Sequence, residues 1–158
     1  MKDRYLLFLG FLAISAAFVS CNSATSPTDL ISRGRLTAEG LQVVVSTSRT
    51  GAGSMTFRIG VENGGPANAT LNFACGQFFD IEVSRDGNVV WRWSHDKYFT
   101  QALWGLELTP GESYAQTADW DLTGNDGKRL SSGTYTAQIT ITSYPRDDGL
   151  VTEMSITI

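Results

Sequence analysis

The sequence predicts an all-β domain, a sandwich of about seven to nine short antiparallel strands. Three observations predict it. Apolar and polar residues alternate with period two in one segment after another. Glycine, proline, asparagine and aspartate cluster between those segments, where tight turns need them. Beyond residue 21, no segment carries the three-to-four-residue spacing of an amphipathic helix. Alternation by itself fits a closed barrel as well as a sandwich.

The chain opens differently. Lys2, Asp3 and Arg4 lead into an apolar run from Leu6 to Val19, then Ser20 and Cys21. That is the layout of a secretory signal with cysteine at the cleavage point. The run is short for a hydrocarbon core, whose roughly 30 Å calls for about 20 residues. Phe18-Val19-Ser20-Cys21 resembles a bacterial lipobox: the small Ser20 fits, and Phe18 stands where leucine is preferred. Residues 1–20 are therefore expected to be a lipoprotein signal peptide and Cys21 the lipidation site. The protein would then be lipid-anchored and extracytoplasmic, at the cell membrane or the outer membrane, because stable anchoring takes more than one acyl chain. An uncleaved N-terminal anchor and a secretory signal cut without lipid are the alternatives. Residues 21–35 are polar, contain Pro27 and show no period, and so read as a flexible tether.

Residues 36–158 hold the domain. Leu41–Val45 is the first candidate strand. Met55, Phe57, Ile59 and Val61 alternate with polar residues in the second, and Asn63-Gly64-Gly65-Pro66 ends it. Leu71, Phe73 and Cys75 share a phase, which marks Cys75 as a small buried thiol of the core. Phe79, Ile81 and Val83 form the next strand, and Asp86-Gly87 turns it into Val89–Trp93, the strongest hairpin signal present. Pro110-Gly111 precedes Ser113–Trp120, and further turns flank Lys128–Leu130. Tyr135, Ala137, Ile139 and Ile141 lie on one face of another strand, and Met154, Ile156 and Ile158 close the chain.

Composition excludes several functions. The net charge is −4 and the basic residues are scattered, so no patch follows a phosphate backbone and nucleic acid is not an expected partner. With Cys21 carrying lipid, Cys75 is the one remaining cysteine and the domain has no internal disulfide. His95 is the single histidine; one histidine and one thiol do not make a zinc site, and no cofactor is expected. Ser94-His95-Asp96 is adjacent in sequence, whereas a catalytic triad converges in space. Asp121, Asn125 and Asp126 echo a calcium loop but lack its terminal glutamate, so a solvated turn is the better reading. Asp119 and Asp121 share a strand face with nothing to mark them as an acid–base pair. Trp91 and Trp93 read as core aromatics with one ring at a rim.

One block carries a family resemblance. It runs Cys75-Gly76-Gln77-Phe78-Phe79-Asp80-Ile81, then Asp86-Gly87 and Val90-Trp91-Arg92-Trp93-Ser94. Phe99-Thr100-Gln101, Leu108-Thr109-Pro110-Gly111-Glu112, Trp120 and Gly133-Thr134-Tyr135 follow in order. This resembles the intracellular proteinase inhibitor (BsuPI) family, over about half the chain, with Cys75 where that family usually has serine. The resemblance implies an immunoglobulin-like sandwich and a non-enzymatic proteinase inhibitor; the family's founding member is cytoplasmic. It also implies that Gly133-Thr134-Tyr135 is a corner where a tyrosine hydroxyl ties down a loop. The expected function is a membrane-tethered, non-enzymatic protein-binding module with a protein partner, which the resemblance implies is a protease. The alternative is a structural or assembly lipoprotein of the cell envelope. The candidate binding loop is Ser94–Trp104, long, mixed and aromatic, with Ser94, His95, Lys97, Tyr98, Phe99 and Trp104 as contact residues.

Overall fold

The computed structural model describes residues 30–50 and 53–158. The lipobox, Cys21 and the signal segment lie outside them. The described residues form ten strands and no helix. One sheet holds β1 (Leu30–Arg33), β2 (Leu41–Thr50), β3 (Ser54–Asn63) and β8 (Ser113–Trp120), in that order. The second holds β10 (Val151–Thr157), β9 (Thr134–Ile141), β5 (Phe79–Arg85) and β6 (Asn88–Arg92). A small third sheet pairs β4 (Ala69–Phe73) with β7 (Trp104–Leu108). All pairings are antiparallel, as the tight turns dictate.

The core is what alternation requires. Val43 and Val45 from β2 and Phe57, Ile59 and Val61 from β3 are fully buried. Phe79, Ile81 and Val83 from β5 and Ala137, Ile139 and Ile141 from β9 are buried as well. Slipping any of these strands by one residue would turn its apolar set to water, so the core fixes the register. Trp91 stacks on Trp120, ring centroids 4.8 Å apart, and links β6 to β8. The tyrosine corner forms: Tyr135 is buried and its hydroxyl donates to the Ser131 carbonyl at 2.8 Å.

Two strands exceed the sequence expectation. β1 lies within the stretch read as tether. Its side chains are mostly exposed, so it has no alternation to read; its backbone pairs with β2, Ser32 reaches the Glu153 carbonyl at 3.0 Å, and Arg33 pairs with Glu62 at 2.9 Å. β7 follows the candidate loop, with Trp104, Leu106 and Leu108 alternating against Gly105 and Glu107. Lys128–Leu130 forms a single bridge, Thr123 to Arg129, rather than a strand. Cys75 also differs from expectation. β4 ends at Phe73, the chain bends, and the thiol is half-buried rather than in the core.

The register sets direction. Phe79 of β5 faces Ile141 of β9, and Val151 of β10 faces Thr140. Residues 74–78, 93–103 and 142–150 therefore gather at one end of the sandwich. β1 runs antiparallel to β2, since Leu30 faces Thr47 and Arg33 faces Val44, and Gly34 just after it approaches the start of β10 at Val151.

Candidate functional site

The segment between β6 and β7 crosses from the second sheet to the small third sheet, with no regular structure over residues 97–103. A crossing of that length would be mobile unless fixed, and it is fixed at three places. At its start, the Ser94 hydroxyl and backbone N–H donate to the two oxygens of Asp80, at 2.7 and 3.1 Å. In the middle, the Gly76 N–H donates to the Thr100 carbonyl at 2.9 Å. Glycine suits this approach, because a Cβ at position 76 would lie 2.4 Å from the Thr100 hydroxyl and would force that side chain to turn away. At its end, the Trp104 indole N–H donates to the Cys75 carbonyl at 2.7 Å, and its ring stacks on Phe73 at 4.0 Å.

Trp93 is the hub beneath. It packs on Phe79 at 4.3 Å and carries the ring of Phe99 at 5.8 Å. The Lys97 ammonium sits over it, 4.9 Å from the ring centroid, an attraction of about 0.5–1 kcal/mol at an exposed site. Arg92 closes the base by pairing with Glu82 and, at 3.9 Å, with Asp80.

The six contact residues read from sequence therefore divide. His95, Lys97 and Tyr98 stand in solvent, His95 with its Nε2 3.2 Å from an Asp96 oxygen. Tyr98 is 100% exposed, and Leu103 is 83% exposed. Ser94, Phe99 and Trp104 turn inward and hold the loop. Asp80, Gly76 and Thr100 also shape it; the family block contains all three, but the sequence does not mark them as supports of the loop. Their partners lie 14 or more positions away, and spacing does not display such pairs.

A hollow of about 360 Å³ lies beside the loop base, bordered by Trp91, Trp93, His95, Lys97, Asp119 and Asp121. Its polar groups already have partners. Asp119 accepts from the Thr56 hydroxyl at 2.6 Å, and Asp121 accepts from the Thr123 N–H at 3.0 Å. Asp126 accepts from the Lys128 N–H, which holds its carboxyl below the usual carboxylate range. The loop over residues 121–127 is thus built of side-chain-to-backbone turns. Among the described residues, no group of three histidine, cysteine or carboxylate side chains could hold a metal ion.

Comparison with known proteins gives one family. The family model described as BsuPI, intracellular proteinase inhibitor, matches residues 41–146. No curated protein matches the chain. Among solved structures, the chain is similar to a beta-glucosidase from Kluyveromyces marxianus in complex with glucose. The identity is 14%, the TM-score 0.43, and the match covers 77% of this chain and 14% of that one. It is also similar to beta-glucosidase 3B from Thermotoga neapolitana in complex with alpha-D-glucose, at 14% identity and TM-score 0.39, over 82% of this chain and 16% of that one. A beta-glucuronidase from Bacteroides uniformis matches at 18% identity and TM-score 0.38, over 79% of this chain and 14% of that one. The chain thus spans less than a fifth of the length of these enzymes.

Proposed function

Because the chain belongs to the intracellular proteinase inhibitor (BsuPI) family, we propose that it is a non-enzymatic protease-binding module, held outside the cytoplasm by lipid on Cys21. The observation that carries the binding role is the loop from Ser94 to Trp104. Its tip stands in solvent and its base is fixed to Asp80, Gly76 and Cys75. A protease cleft takes extended backbone, and a loop already held in place loses little conformational freedom on docking. The signal-like run ending in Phe18-Val19-Ser20-Cys21 supports the tether.

Titration of the purified protein against a panel of serine proteases tests the binding role. Inhibition at micromolar concentration or below is expected; its absence across the panel counts against the reading. Metabolic labelling with radioactive palmitate tests the tether: the parent incorporates label and Cys21→Ser does not. A structural or assembly role in the cell envelope is the second reading. It is favoured by the export-like N-terminus on a member of a family described as intracellular. Recovery of a non-protease envelope partner by pull-down, with no protease inhibited, would favour it.

A further inference from the structure

We propose that Tyr98 is the side chain that enters the partner's primary pocket, and that the partner is an endopeptidase whose pocket takes a large apolar ring rather than a basic group. This rests on the protease-binding reading above and names the specificity of the same loop.

Three observations carry it. First, Tyr98 is 100% exposed, and none of its ring contacts serve the fold. Second, its two neighbours are held from below by one side chain: the Lys97 ammonium lies 4.9 Å from the Trp93 ring, and the Phe99 ring lies 5.8 Å from it. With the Lys97 and Phe99 side chains both turned onto Trp93, Tyr98 between them is left wholly in solvent. Third, the basic side chains of the loop are already engaged. Lys97 is over Trp93, and His95 is 3.2 Å from Asp96. A pocket built for a basic side chain would have to break the Lys97 contact before filling. An apolar pocket meets a ring that is already presented, and an aromatic anchor at the centre of an interface carries a large share of its affinity. Leu103, 83% exposed, directly precedes the clamped Trp104 and has less reach.

The test uses the full chain, purified in detergent, with chymotrypsin as the apolar-pocket probe and trypsin as the basic-pocket probe. Chymotrypsin is expected to be inhibited in preference to trypsin. Tyr98→Ala weakens chymotrypsin inhibition by about 30-fold or more, the effect of losing an interface hot spot. Tyr98→Lys transfers inhibition to trypsin, and Leu103→Ala changes inhibition less than about threefold. The melting curve of each Tyr98 variant should overlie the parent's, because the ring supports nothing. If the parent inhibits and Tyr98→Ala inhibits equally well, or if Leu103→Ala takes the loss instead, the assignment of Tyr98 is overturned while the inhibitor reading stands. If the parent inhibits neither these enzymes nor a wider panel, the reading fails and the assignment with it.

Discussion

Asn63 is a buried polar residue that ties three segments of this fold together. It is 0% exposed, and its side-chain amide donates to the carbonyls of Ala67 and Leu108, each at 2.8 Å. Its side-chain oxygen accepts from Gly65 at 2.9 Å, and its backbone joins the turn at Gly111 and Glu112. One residue thus closes the end of β3, the turn after it and the end of β7. Asn63→Ala takes this donor from the buried Leu108 carbonyl and frees the turn at Gly65, and a loss of about 2–4 kcal/mol in urea unfolding is expected. Glu112, in that same turn, accepts from the Thr109 N–H at 2.9 Å and hydroxyl at 3.0 Å. The backbone bond first, and then the hydroxyl, hold its carboxyl below the ordinary glutamate value. A lowered folded-state pKa means the unfolded chain binds the proton more readily. The contribution is present above the unfolded value and is lost as pH falls through the folded one. Glu112→Gln should therefore flatten the acid side of a melting-temperature-against-pH profile and leave the neutral side's slope unchanged.

At the scale of the element, what decided legibility was whether a strand has an inward face. β3, β5 and β9 each alternate over seven or more residues, and the sequence displays them plainly. β1 contributes backbone pairing and almost no buried side chain, so nothing in its four residues announces a strand. Cys75 shows the converse failure. Its phase with Leu71 and Phe73 is real, but the strand stops before it, and a period continued past a strand end has no meaning. The candidate loop was visible through its length and aromatic content; its supports were not, because Ser94–Asp80 and Gly76–Thr100 are contacts of the folded chain. The free edge of β6 is another such feature. Asn125 bonds both the N–H of Arg92, at 2.6 Å, and its carbonyl, at 3.2 Å, and its own N–H reaches Val90 at 3.1 Å. An asparagine there occupies the edge as a neighbouring strand would. Asn125→Ala should cost about 1–2 kcal/mol and raise light scattering on mild heating, as the uncovered edge pairs between molecules.

For the whole molecule, stability comes from one core to which all three sheets contribute, with Trp91 and Trp120 bridging the two larger ones. The free thiol of Cys75 contributes no cross-link among the described residues. The melting temperature should therefore be the same with and without reductant, for the parent and for Cys75→Ala. A drop in reductant would reveal a disulfide that this architecture does not need.

β1 also has a mechanical consequence. It joins the rim of its sheet through backbone pairs with β2, through Ser32 on the Glu153 carbonyl and through Arg33 on Glu62, with almost no side chain in the core. A force drawn along the chain at Leu30 is therefore borne first by these polar links at the rim. Stripping β1 away would leave the apolar interior of the sandwich intact, so the strand acts as a sacrificial strap that yields before the domain does.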